Sequence, residues 1–319
     1  MSLFDLKAQF QAGALSKPAY IAAMHRLHER LFEYAEFIRA TDIARIEITD
    51  GAVTLVTRRA GIKMQCDPRD WRAMPLEVLN FGAYELAEWA MMRQLIPPGA
   101  TMLDVGANLG WYTLHAAQAD PNLQVHAFEP IPTTFGYLER NVALNGLHNV
   151  RLYNFGFSNQ PGPAVFYFYP EGAGNAAAAD LSGAASTQKV ICELRTLDGF
   201  IQETGLTVDF LKCDVEGAEL FVFQGGLEML RSQKPIIFSE MLRKWSAAFG
   251  YHPNDIIALL GGIGYRCFSI REGHLLPFTV MDENTVETNF FFLHPTRHQN
   301  YIEALVVGLH PELVEGEDA

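Results

Sequence analysis

Apolar and polar positions change their rhythm near residue 100. Before it, residues 1–40 carry apolar side chains at helical spacing. Leu27, Leu31, Tyr34, Phe37 and Ile38 fall near one face, which predicts an amphipathic helix. Residues 45–57 alternate in two short runs around Asp50-Gly51, a pair suited to the positive φ of a tight turn, and predict a hairpin. Residues 76–95 return to helical spacing and stop at Ile96-Pro97-Pro98-Gly99. From there strands and helices alternate. Strands are predicted at 102–105, 125–128, 150–157, 210–213, 235–239, 265–270 and 289–293. Helices are predicted at 111–119, 133–145, 218–231 and 254–260. This order implies a mostly parallel sheet with helices on both faces. Two further runs, 164–169 and 190–194, read as strands outside that alternation. The Gly/Ala/Ser-rich stretch 171–187 between them reads as a connecting loop, or as a lid over a substrate.

Composition narrows the class. The 319 residues are 49% hydrophobic and 19% charged, a globular balance. A chain of this size buries enough core to need no disulfide or metal. The formal charge of −13 and the lack of any dense Lys/Arg run argue against nucleic-acid binding and, more weakly, against anionic membranes. Cys66, Cys192, Cys213 and Cys267 form no C-x-x-C pair. Cys213 and Cys267 lie in apolar runs and read as buried thiols, a usage that fits a reducing cytoplasm. The opening MSLFDLKAQF does not look like a signal peptide, and no apolar run reaches the roughly 18 residues of a membrane helix. The expected organisation is a helix-and-hairpin extension at 1–75, a main domain at 76–300 and a tail at 301–319.

The chemistry concentrates at strand ends. Asp104 is followed by Gly106-Ala107-Asn108-Leu109-Gly110, a glycine turn that opens a helix. Gly106 permits close approach of a ligand, and the helix start favours an anionic group such as a carboxylate. Asp104 could accept hydrogen bonds from an amino-acid ammonium. Glu129 follows the next strand, where an acid binds ribose hydroxyls. A dinucleotide fingerprint needs G-x-G-x-x-G, and position 108 is Asn. S-adenosylmethionine is therefore favoured over a nicotinamide or flavin cofactor. Asp214 and Glu216 lie past the strand at 210–213, and Glu240 past the strand at 235–239. Open α/β sheets bind ligands at those carboxyl ends. Glu219 reads instead as a helix-capping acid.

The segments Asp104-Val-Gly-Ala-Asn-Leu-Gly-Trp-Tyr-Thr113, Phe128-Glu-Pro130, Asn141-Val-Ala-Leu-Asn145, Leu211-Lys-Cys-Asp-Val-Glu-Gly-Ala-Glu219 and Ser239-Glu240 resemble the FkbM-type methyltransferases. So does Phe81-Gly-Ala-Tyr-Glu85. The resemblance runs over about residues 80–295 and leaves residues 1–75 outside; Cys213 departs from the β-branched residue usual there. It implies a class I methyltransferase Rossmann-like fold, with a seven-stranded, mostly parallel sheet whose last strand, 289–293, is antiparallel. It implies O-methylation of a glycan, sugar or natural-product hydroxyl. By motif position, Asp104, Gly106, Ala107, Asn108 and Gly110 would cradle the methionine end of the cofactor. Glu129 and Pro130 would hold the ribose, Gly156, Phe157 and Ser158 would lie beside the adenine, and Tyr84 and Glu85 would close over it.

Methyl transfer to a hydroxyl gains from a base that removes its proton. Asp214 or Glu216 is expected to orient the acceptor and act as that base, with Glu240 assisting and Asp214 also near the cofactor. No metal is expected to be required, although grouped carboxylates also suit a hard cation such as Mg²⁺. His115 and His126 lie in predicted core elements and read as structural, whereas His274 could reach the acceptor cleft. The alternative is a non-catalytic module working through its N-terminal extension. That extension could in either case mediate a homodimer.

Overall fold

The computed structural model describes residues 1–175 and 186–307. Most of the 171–187 connection, and with it the expected lid, lies outside the described residues, as does 308–319 of the tail. Along the chain come α1 (Leu3–Gln11), α2 (Lys17–Phe37), β1 (Ile43–Thr49), β2 (Ala52–Thr57), β3 (Lys63–Met64), α3 (Met74–Phe81) and α4 (Leu86–Leu95). Then follow β4 (Thr101–Val105), α5 (Trp111–Ala119), β5 (Gln124–Phe128), α6 (Pro132–Leu144), β6 (Val150–Tyr153), β7 (Gly156–Phe157), β8 (Gly162–Phe168) and β9 (Gln188–Arg195). The chain continues through α7 (Leu197–Thr204), β10 (Phe210–Cys213), α8 (Glu219–Gln224), α9 (Leu227–Gln233), β11 (Ile236–Glu240), α10 (Arg243–Ala248) and α11 (Pro253–Gly261). It closes with β12 (Arg266–Arg271), β13 (His274–Phe278), β14 (Asn289–Leu293) and α12 (Pro295–Leu305).

The central sheet runs β13-β12-β14-β11-β10-β4-β5-β6. The five strands from β6 to β11 are parallel, and β14 is antiparallel to both its neighbours. Seven of these strands make the expected class I methyltransferase frame. The eighth, β13, is a hairpin return on the open edge of β12. Side chains alternate across this sheet with the period of two that a pleated strand imposes. Leu103, Val105, Leu211 and Cys213 enter one core layer, while Met102 and Phe210 enter the other. Asp104 and Lys212 share the second face, and the register places them side by side on adjacent strands.

The N-terminal sheet β1-β2-β3 joins that second layer through Ile43, Leu55, Ile62 and Met64. Two asparagines of α6 bind its third strand. Asn145 accepts from Lys63 N at 2.9 Å and Asn141 accepts from Gln65 N at 2.8 Å, and both amides donate back to the carbonyls of the same residues. Among the described residues no helix is long and apolar enough to cross a membrane.

Three elements differ from the sequence reading. The helix expected at 76–95 is two helices, broken where Gly82 (φ 90°) and Glu85 (φ 42°) leave right-handed helical backbone. The helix expected at 218–231 breaks at Gly225-Gly226, because the chain there passes against the Ser158 carbonyl. The strand expected at 150–157 ends at Tyr153. Its continuation, β7, pairs with β9 in a separate three-stranded sheet.

Candidate functional site

A cavity of about 300 Å³ opens at the carboxyl ends of β4, β5 and β10. Its wall includes Gly106 and Asn108 from the glycine turn, Glu129 and Pro130 after β5, Gly156, Phe157 and Ser158, and Asp214 and Glu216 after β10. Ala107 is buried beneath the turn, and Gly110 is the N-cap of α5. At Gly106 (φ 77°) the turn crosses the end of β10 so closely that a Cβ would lie 1.8 Å from the Asp214 carbonyl oxygen. No side chain fits there, which is the physical content of the glycine in the motif. Asn108 also adopts a positive φ, 51°, and its N–H donates to a Glu129 carboxylate oxygen at 3.1 Å. The other Glu129 oxygen accepts from Ile131 N at 2.9 Å. Burial pushes Glu129 up to about 7 despite these two donors.

Asp104 does not reach the cavity wall. It is fully buried, one oxygen accepting from Thr113 Oγ1 at 2.6 Å and the other lying 3.3 Å from Lys212 Nζ. Lys212 is also buried. Its ammonium donates to the Gly106 carbonyl at 2.6 Å and lies 3.4 Å from an Asp214 oxygen. Burial works against that charge, but Asp104 and Asp214 outweigh it and hold the ammonium above its ordinary value. Lys212 thus ties together the glycine turn, the buried acid and the cavity acid. The sequence reading gave it no role.

Asp214, Glu216 and Glu240 converge: each offers an oxygen within 4.8 Å of the others. Burial, and then the neighbouring carboxylates, raise Glu216 and Glu240 well above the usual carboxylate range. Glu85 stands beside this cluster. It accepts from Tyr112 OH at 2.5 Å and from Asn289 Nδ2 at 3.3 Å, and burial pushes it up to about 7 with Asp214 adding to the effect. Tyr84 packs edge-on against Trp111, within electrostatic reach of Glu85, Asp214, Glu240 and Glu216. Tyr84 and Glu85 therefore border the acidic cluster, and neither they nor its member Glu240 lie on the cavity wall.

The remaining candidates separate cleanly. Glu219 accepts from Val215 N at 2.9 Å and Gly217 N at 3.1 Å, so it closes the turn before α8; it stands in the first turn of that helix, which has no side-chain cap. His115 Nδ1 contacts the Trp111 carbonyl and His126 Nδ1 the Tyr153 hydroxyl; burial lowers both rings to about 4. Both are structural. His274 is exposed on the edge strand β13 and is not on the cavity wall. Phe221 and Phe249 line the cavity, and the sequence reading missed them because they follow from the packing of α8 and α10.

Raised carboxylates carry a stability consequence. Glu85, Glu129 and Glu219 titrate near 7 in the fold against an ordinary value of 4.5. Between those values the folded chain holds protons that the unfolded chain has released. Their contribution to stability therefore falls as pH rises through the window. His115, His126 and His298, lowered to about 4, act in the opposite direction between about pH 4 and 6.5, so the carboxylate contribution is read by difference. Relative to the wild type, the melting temperature of Glu129→Gln is expected to gain as pH rises from about 4.5 to about 7, and a difference that stays flat through this window contradicts the assignment.

A family model described as Methyltransferase FkbM domain matches residues 104–267. The chain is 31% identical over 180 residues to Methyltransferase sdnD of Sordaria araneosa, covering 47% of this chain and 66% of that one. It is 30% identical over 158 residues to 2-O-methyltransferase NoeI of Sinorhizobium fredii (strain NBRC 101917 / NGR234), covering 45% and 63%. Methyltransferase 1 of Beauveria bassiana is 29% identical over 147 residues, covering 40% and 59%. The chain thus spans less than two thirds of each of these relatives. Among solved structures, the FkbM methyltransferase of Methylobacillus flagellatus aligns at 15% identity over 69% of this chain and 53% of that one, with a TM-score of 0.39. With the glycine turn, Glu129 and the 214–219 segment all inside the matched span, the chain belongs to the FkbM methyltransferase family.

Proposed function

We propose that this chain binds S-adenosylmethionine in the cavity and methylates a hydroxyl of a sugar, glycan or natural-product acceptor. The observation that carries the reading is the charge imbalance beside the cavity: Asp214, Glu216 and Glu240 converge, Glu85 stands next to them, and among the described residues Lys212, against Asp214, is the one buried cation in contact with the cluster. An excess of carboxylates, with Glu85, Glu216 and Glu240 raised by burial and by one another, favours a cationic ligand. A sulfonium donor with an ammonium tail meets that need, and the pyrophosphate of a dinucleotide opposes it. Glu129, on the cavity wall, would accept from ribose hydroxyls, and Gly156, Phe157 and Ser158, on the same wall, would lie beside the adenine. Asp104 serves beneath the site, holding Lys212. The donor supplies an electrophilic methyl on a sulfur leaving group. The acceptor oxygen gains the methyl, the C–S bond breaks with its electron pair going to sulfur, and the acceptor proton goes to a carboxylate of the cluster. Alignment of the acceptor supplies much of the acceleration.

Calorimetry tests this reading. Wild-type protein is expected to bind both S-adenosylmethionine and S-adenosylhomocysteine and not NAD. Glu129→Ala is expected to weaken both by about 1.5–3 kcal/mol, roughly 10- to 100-fold, the loss of hydrogen bonds to a charged acceptor. Folded wild-type protein that takes up neither ligand ends the proposal. The converging oxygens of Asp214, Glu216 and Glu240 also suit a hard cation. With the donor's own charge balancing them, exhaustive chelation is expected to leave turnover unchanged. Activity lost on chelation and restored by Mg²⁺ would reassign the cluster to a metal.

A further inference from the structure

We propose that the chain forms a two-fold dimer through antiparallel pairing of α2 with α2 of a second copy. Across its 21 residues α2 has no buried side chain, although it carries a continuous apolar seam. Helices of this length owe most of their stability in proteins to a packed apolar face, and here the cover is partial: Tyr20 stacks on Phe10 of α1, while Leu27, Leu31 and Tyr34 stay exposed. The seam is Tyr20, Met24, Leu27, Leu31, Tyr34 and Ile38, spaced 4-3-4-3-4. That is the a/d rhythm of a coiled coil.

The spacing reads the same in both directions. An axis through Glu29 sets Leu27 opposite Leu31, Met24 opposite Tyr34, and Tyr20, which also stacks on Phe10, opposite Ile38. Charge agrees with that orientation. Residues 17–26 hold Lys17 and Arg26 and no acid, a net of +2. Residues 27–37 hold Glu29, Glu33 and Glu36 against Arg30, a net of −2. Antiparallel pairing lays each basic half along an acidic half, whereas parallel pairing sets like halves together.

The chain also presents a receptor for the incoming helix. An open groove of about 950 Å³ runs between the seam and the face of β1 and β2 that carries Ile46, Ile48, Val53 and Leu55, where the core-facing side of that sheet reaches the surface. Leu31 and Tyr34 form one side, and Ile48 and Val53 form the other, the last two 65% and 52% exposed. Helix and groove lie on the same element, as a self-complementary two-fold interface requires.

Sedimentation velocity on the full chain is expected to return twice the 35.6 kDa of one copy. Leu31 is 53% exposed, so Leu31→Glu is expected to halve that mass while the chain keeps a cooperative melting transition. A wild-type chain that sediments as a monomer, or a Leu31→Glu chain that remains a dimer, overturns the proposal. Cross-linking provides a second readout. Leu27→Cys and Leu31→Cys chains, mixed and oxidised, are expected to join, and each alone is expected not to. A cross-link in either variant alone, or none in the mixture, overturns the antiparallel arrangement. Neither readout depends on methyl transfer.

Discussion

Lys212→Met is expected to destabilise the fold by about 3–5 kcal/mol, the cost of removing one partner from a buried ion pair. Asp104 explains why. It is fully exposed to the protein interior and not at all to water, and its Oδ1 makes no hydrogen bond among the described residues. That oxygen has only the Lys212 charge, 3.3 Å away. Take the ammonium away and a buried carboxylate must either protonate or stay uncompensated. The Gly106 carbonyl loses its donor at the same moment. Adding Asp104→Asn to Lys212→Met removes the orphaned charge and is expected to recover part of the loss, which a denaturant-melt double-mutant cycle reads directly. If Lys212→Met costs less than about 1 kcal/mol, a typical surface change, the buried triad is not holding the turn.

The same residue marks the limit of what the sequence makes legible. The glycine turn, the α5 helix at 111–119 and the strand-end acids follow from local pattern, because a turn and its adjoining strand and helix are neighbours in the chain. Lys212 sits inside Phe210-Leu-Lys-Cys213, which reads simply as an apolar strand. Its meaning depends on β10 lying beside β4, a pairing of segments more than a hundred residues apart. Tyr112, Asn289 and Phe249 were hidden for the same reason. Position in the motif sets Asp104 at the cofactor, and strand alternation turns its side chain to Lys212 and Thr113, off the cavity wall. The helix expected at 76–95 failed differently. Its apolar spacing is continuous, and only the left-handed backbone at Gly82 and Glu85 breaks it, which sets Glu85 against Tyr112 and Asn289.

Under the proposed function, Glu216 is the candidate base among the three converging acids. Asp214 faces the Lys212 ammonium at 3.4 Å and is already engaged by that cation. Glu216 lines the cavity, and burial and the Asp214 charge raise it in spite of the opposing charges of Lys212 and Arg72. A carboxylate lifted toward neutral pH takes a hydroxyl proton more readily than one left at its ordinary value. Glu240, within 4.8 Å, is placed to share that proton. Glu216→Gln keeps the shape and removes the basic oxygen. It is expected to lower kcat by about 10²–10⁴, the usual worth of a general base, with S-adenosylhomocysteine affinity nearly unchanged. The pH profile separates chemistry from packing. Wild-type kcat is expected to rise with pH as the cluster ionises, and the Gln variant is expected to lose that limb. Turnover close to wild type with the true acceptor would remove Glu216 from proton transfer and leave the cluster only an orienting and charge-balancing part.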